Sequence, residues 1–191
     1  YLKAGLLDRA EQIFSALTET THRQSSLKAL LDIYRQEKDW VKAIPIAREL
    51  EGSSTRNFES EIANYYCELA TTEYVHARHD KAQEYLLQAL STNRKCVRAN
   101  ILLGEWAAKE GKHEQAVEIW KRIENQSPEH LGLVAENLLQ SYREQGKLSE
   151  GLSLLRGFQE RYPGLDLLNV VFQAMLETEG SASAYKLVRD D

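Results

Sequence analysis

Thiols are scarce in this chain. Its 191 residues hold two cysteines, Cys67 and Cys96, and no CxxC pair. Neither a zinc knuckle nor a two-cysteine redox motif can be built from that supply, because structural thiolate sites need four ligands or a fixed partnership with histidine. Two reduced thiols suit a reducing cytoplasm. No run of about 18 apolar residues is present, so nothing reads as a membrane span, and no secretory signal is visible. Basic charge is also in short supply. The 24 Lys and Arg against 29 Asp and Glu leave a net charge of −5, which argues against a nucleic-acid binder held by phosphates.

Catalytic patterns are missing too. The GxSxG, GxxxxGK[ST] and HExxH strings do not occur. His76 and His79, with His113 and His130, carry no acidic or thiol partner at ligand spacing and read as solvated turn residues. The carboxylates are spread over charged faces, where Glu and Lys pair at i, i+4, so paired-acid chemistry has no candidate. No alternating strand pattern is found. The reading is of a protein that is not an enzyme and that binds no metal or cofactor in this segment.

What is present is a repeat. One small residue recurs at Ala10, Ala43, Ala82, Ala116, Gly151 and Ala184, at intervals of 33, 39, 34, 35 and 33. Each follows a short polar or Gly-containing turn, and a large apolar residue often stands four positions on. The clearest copy runs Asn100-Ile-Leu-Leu-Gly104-Glu-Trp106, then Gly111-Lys-His-Glu-Gln-Ala116, then Trp120, and ends at Pro128. A period near 34 with this pattern is the tetratricopeptide signature, in which each copy is helix A, a turn and helix B. The expected fold is all-α, a right-handed α-solenoid of such helix pairs with roughly eleven helices. The expected organisation is one array over 1–191, with copies at roughly 24–57, 63–96, 97–131 and 132–164 and partial copies at 1–23 and 165–191. Tyr1 to Ala4 reads as the tail of a first helix, and the chain stops at Asp191 inside another, so the sequence reads as a segment of a longer protein.

Local features refine this frame. Pro45 falls inside the second helix B, near its first turn, where a missing N–H costs little; if it lies deeper, the helix kinks. Glu51 to Asn57 reads as an ordinary longer turn, with a mobile joint as the alternative. Gly5, Gly111, Gly146 and Gly180 sit where helix A ends, as a left-handed residue there requires. Trp40, Trp106 and Trp120 fall at apolar-periodic positions and read as core. In such a solenoid helix A faces the concave groove. The groove-lining candidates are Lys28, Asp32 and Arg35; Asn64, Cys67 and Thr71; Arg98 and Glu105; Glu136, Gln140 and Arg143; and Asn169 and Gln173. This polar, mixed-charge surface suits an extended peptide, and the alternative is a solvated face with no partner. The Lys and Asn set that grips a carboxylate in some relatives is not reproduced, since Lys28 is followed by Asp32. Arg98 and Arg143 are expected near equivalent positions of consecutive copies, where guanidinium forks grip carboxylates or peptide carbonyls.

Longer strings carry a more specific likeness. Glu37-Lys-Asp-Trp-Val-Lys-Ala-Ile-Pro-Ile-Ala-Arg-Glu-Leu50, Tyr65-Tyr-Cys-Glu-Leu-Ala70, Asn93-Arg-Lys-Cys-Val-Arg-Ala-Asn-Ile-Leu-Leu-Gly104 and Tyr162-Pro-Gly164 resemble the bacterial lipopolysaccharide assembly protein B family, and read as an enterobacterial member. The resemblance implies an inner-membrane protein with an N-terminal anchor, a cytoplasmic repeat body and a C-terminal rubredoxin-like knuckle that holds iron or zinc through two CxxC pairs. It implies a regulator of lipopolysaccharide biosynthesis that promotes degradation of the LpxC deacetylase by the FtsH protease. Anchor and knuckle are absent from this chain, and Cys67 and Cys96 do not match the knuckle's ligands. The implied role is an adaptor, with a co-chaperone-type peptide scaffold as the alternative. Homo-oligomerisation is left open.

Overall fold

The computed structural model describes residues 7–19, 21–53, 56–181 and 183–184. The expected helix tail at Tyr1 to Ala4, the turn at Gly5 and the last helix beyond Ala184 lie outside the described residues. Among the described residues every regular element is helical. The chain divides into two compact units, Tyr1–Cys96 and Val97–Asp191.

The first unit holds α1 (Leu7–Leu17), α2 (Arg23–Glu37), α3 (Trp40–Ser53), α4 (Glu59–Val75) and α5 (His79–Thr92). Each helix packs on the next in sequence. Its core is built from Leu27, Leu30, Ile33, Leu50, Ile62 and Leu86. A polar clasp ties α1 to α2 and α3: Glu11 accepts from the Tyr34 hydroxyl at 2.9 Å and from Lys42 Nζ at 3.0 Å. Burial, and then the carboxylate beside it, push the Tyr34 phenol up to about 12, while the Lys42 ammonium holds Glu11 below its ordinary value.

The second unit holds α6 (Val97–Lys109), α7 (His113–Lys121), the short α8 (Ile123–Gln126), α9 (Gly132–Glu144), α10 (Leu148–Arg161) and α11 (Leu165–Thr178). Trp120, Phe158, Leu138, Leu155 and Val134 are fully buried in its core.

One turn geometry recurs between helix A and helix B. A residue with positive φ closes helix A: Lys38 (56°), Ala77 (59°), Gly111 (76°) and Gly146 (70°). In each case its N–H bonds three residues back, and the next N–H bonds five residues back, as in Gly111 to Ala108 at 3.0 Å and Lys112 to Ala107 at 2.9 Å. That pair of bonds satisfies the helix's last carbonyls. The following residue opens helix B, and its carbonyl receives the N–H of Ala43, Ala82, Ala116 or Gly151. The small residue is therefore always the fourth of helix B, where it faces helix A with no exposed surface at Ala43, Ala82 and Ala116. At Gly151 the requirement is stricter, because a Cβ would sit 2.7 Å from the Tyr142 side chain.

Lys38 and Ala77 hold, within the same pair of backbone bonds, a conformation that costs an L-residue about 1–2 kcal/mol. Lys38→Gly and Ala77→Gly are expected to raise stability by roughly 0.5–1 kcal/mol each, the gain being reduced by the greater freedom of glycine in the unfolded chain. Urea midpoints measure this, and a fall in both would show that the left-handed turns are not needed.

Two local expectations are settled by helix boundaries. Pro45 is the sixth residue of α3, deeper than the first turn, so the bond its N–H would make to Val41 is lost. Val41 is exposed, so its carbonyl lies where water can take the place of the missing donor. The interval at Glu51 to Asn57 is partly helical, since α3 continues to Ser53. Glu51 then accepts the Phe58 N–H at 2.7 Å, while Ser54 and Thr55 lie outside the described residues.

Candidate binding surface on the helix A faces

Counting back from each small residue orders the candidate positions. Eleven residues back stand Asp32, Thr71, Glu105, Gln140 and Gln173. Fifteen back stand Lys28, Cys67, Ile101, Glu136 and Asn169. Lys28, Asp32, Asn64, Arg98, Glu136, Gln140, Arg143, Asn169 and Gln173 are exposed, and Arg35, Thr71 and Glu105 are half-buried. Cys67 departs from its row. It is fully buried in α4 and meets Cys96, so it cannot line a groove.

In the first unit, Lys28, Asp32 and Arg35 share one face of α2 at i, i+4 and i+7. They border a cavity of about 350 Å³ together with Leu31, Leu50, Arg56 and Phe58. Its lining carries three cations, one carboxylate and an apolar floor. Arg35 is positioned rather than free: its Nε donates to the Tyr65 hydroxyl, and its fork lies 3.7 Å from Asp32 and 3.9 Å from Glu61. The Tyr65 ring stacks on Trp40 at 5.1 Å, so Trp40 is a half-buried support for this site rather than a fully enclosed core residue. Arg56 pairs with Glu61 at 2.6 Å and lies over Phe58 at 4.7 Å. The arrangement can receive a carboxylate beside an apolar group, with a guanidinium held in place before the ligand arrives.

In the second unit a cavity of about 440 Å³ opens between successive A helices. It is lined by Glu105 and Lys109 of α6, Asn137, Gln140, Ser141 and Glu144 of α9, and His113 and Trp120 of α7. Gln140 donates to Glu144 at 2.6 Å. Two carboxylates against one lysine, with two amides, give this lining the opposite charge bias.

Of the sequence candidates, Asn64, Thr71, Arg98, Glu136, Arg143, Asn169 and Gln173 border neither cavity. Arg143 pairs with Glu177 at 2.8 Å and touches Gln140 at 3.1 Å. Arg98 lies in the first turn of α6 and Arg143 in the last turn of α9. The equivalent of Arg143 in the preceding copy is Ala108, so the two arginines do not occupy equivalent positions; Arg143 corresponds instead to Arg35, each eight residues before its small residue. Sequence reasoning missed Arg56, which comes from the inter-repeat connection and has no helical register. It also missed Lys109 and Glu144, which the same count, seven back, would have found. His113, read as a solvated turn residue, is half-buried at the cavity wall, with Nδ1 3.4 Å from Ser141 Oγ. Among the described residues no three His, Cys, Asp or Glu side chains are grouped to hold a metal ion.

The tetratricopeptide repeat family matches residues 67–129. Over most of its length the chain superposes on PilF of Pseudomonas aeruginosa, with a TM-score of 0.51, 17% identity and coverage of 98% of this chain and 83% of that one. MamA gives a TM-score of 0.50 at 16% identity, covering 94% of each chain. At such identities the likeness concerns the fold alone. With the recurring turns and small residues above, these matches define a tetratricopeptide-repeat protein, an α-solenoid of paired helices.

Its relatives by sequence are more specific. Lipopolysaccharide assembly protein B of Escherichia coli K12 is 32% identical over 185 residues, which is 96% of this chain and 48% of that protein. The protein of the same name from Haemophilus influenzae is 32% identical over 161 residues, 83% of this chain and 40% of that protein. The chain is a homologue of lipopolysaccharide assembly protein B and spans about half the length of these relatives. Equal identity to the two species gives no preference for an enterobacterial source.

Proposed function

We propose that this chain is the non-enzymatic, partner-binding part of a regulator of lipopolysaccharide biosynthesis. It acts by holding proteins against its helix A faces. The observation that carries this reading is the cavity around Lys28, Arg35 and Arg56, where an ordered guanidinium and an apolar floor meet on a polar face. Such a site grips an acidic, partly apolar segment of a protein partner.

In this reading the longer protein works at the cytoplasmic face of the inner membrane and brings LpxC to the FtsH protease. Raising the local concentration of substrate beside a protease accelerates degradation with no chemistry in the adaptor. The remaining helix A residues Asn64, Thr71, Arg98, Glu136, Arg143, Asn169 and Gln173 serve as secondary contacts along the partner.

Two double variants in the full-length protein test the proposal, with folding checked by circular dichroism. Lys28→Ala with Arg35→Ala is expected to raise cellular LpxC several-fold and to abolish crosslinking to the partner. Arg98→Ala with Arg143→Ala is expected to act more weakly, since those side chains line neither cavity. If both variants limit LpxC as well as the parent does, the helix A faces are not the binding surface.

A further inference from the structure

Cys67 and Cys96 are 29 residues apart in sequence, yet their sulfurs lie 3.8 Å from one another, both in the first unit. Cys67 is in the middle of α4 and wholly enclosed. Cys96 ends the connection after α5 and keeps 7% of its surface. The repeat does not impose this meeting. By register Cys67 corresponds to Lys28 and Ile101, and Cys96 to Ile62 and Leu131. Those equivalents cannot bridge, so the third copy alone places two thiols together.

We infer that Cys67 and Cys96 form a site of reversible covalent modification, an intramolecular disulfide made by exchange with a small-molecule disulfide such as oxidised glutathione. The Cys96 thiolate, the more accessible, attacks one glutathione sulfur. The glutathione disulfide breaks, one glutathione leaves as its thiol, and Cys96 carries the other. The Cys67 thiolate then attacks Cys96 Sγ, the protein disulfide forms, and the second glutathione leaves. Each cysteine gives up one proton, each departing glutathione takes one, and the two electrons pass from the protein thiols to the glutathione pair. From a contact of 3.8 Å the sulfurs have to close to the usual bond length of about 2.05 Å. The bridge pins the middle of α4 to the Asn93–Cys96 connection and closes a loop spanning α5. It restricts the unfolded chain and suppresses opening of that segment.

Incubation of the native protein with oxidised glutathione, followed by intact-mass measurement and non-reducing tryptic mapping, reads the outcome. The expected product has lost two hydrogens. It shows the peptide from Asn57 to Arg78 joined to that from Cys96 to Arg98, and it melts about 5 °C or more above the reduced form. Dithiothreitol should reverse both changes. Cys67→Ser should leave one glutathione trapped on Cys96 and remove the thermal shift. A native protein that retains glutathione on the wild-type pair, links only between molecules, or stays unreacted while the unfolded chain reacts would overturn the inference. The mass readouts come from the wild-type chain, so they stand even where a serine variant folds poorly.

Discussion

Trp120→Ala is expected to destabilise the second unit by about 3–5 kcal/mol, the range for deleting a fully enclosed aromatic side chain. Trp120 is 1% exposed, and its indole N–H donates to the Ile101 carbonyl at 3.2 Å. The indole lies against Gly104, where a Cβ would come within 2.2 Å of the ring nitrogen. Gly104→Ala in the parent should therefore cost about 1–3 kcal/mol through overpacking, despite the better helix propensity of alanine. In the Trp120→Ala background the obstruction is gone. The same Gly104→Ala change should then stabilise by about 1 kcal/mol, as expected for glycine replacement inside a helix. Denaturant unfolding of the four proteins measures this cycle, and an unchanged sign for Gly104→Ala would show that the indole does not set the need for glycine.

Ala116→Trp is expected to cost about 3 kcal/mol, the upper part of the overpacking range, or to unfold the second unit. Ala116 has no exposed surface, and its N–H is fixed to the Lys112 carbonyl at 3.0 Å, so neither side chain nor backbone has room to retreat. The side chain points at helix A, where the two helices of the pair are closest. Interiors are packed near crystal density and hold no volume for an indole. Thermal melts of mutant and parent should separate clearly. Coincident curves would mean that helices α6 and α7 are not pressed together at this residue. The effect should be confined to the second unit, so a probe on Trp40, the one tryptophan of the first, should report a smaller change.

Both predictions rest on volumes exchanged between helix A and helix B. Leu31 with Ala47, Ala70 with Leu86 and Gly104 with Trp120 occupy the same two register positions with a large and a small residue in varying order. Leu139 with Leu155 departs from the exchange. The binding surface is the complement of this packing. The residues turned away from it in α2 present Lys28, Asp32 and Arg35, and those in α6 and α9 present Glu105, Lys109, Gln140 and Glu144.

The sequence by itself determined the helix pairs, the turn between them and the enclosed small residue, because those are statements of local periodicity and side-chain size. Ala43, Ala82, Ala116 and Gly151 could be placed from spacing alone, since any larger residue would force the pair apart. The left-handed turns at Gly111 and Gly146 were legible for the same reason, whereas those at Lys38 and Ala77 were not: there the paired turn hydrogen bonds are made against the preference of the residue. Register counted from the small residue would also have separated Arg98 from Arg143 and paired Arg143 with Arg35. What only tertiary structure decided was contact between residues far apart in sequence. The burial of Cys67 against Cys96, the arrival of Arg56 from a connection at the α2 cavity, and the Trp40 and Tyr65 stack that supports Arg35 each join residues about 20 or more apart in sequence. A helical period says which way a side chain points from its own axis; it carries no information about which neighbour the inter-repeat path brings to meet it.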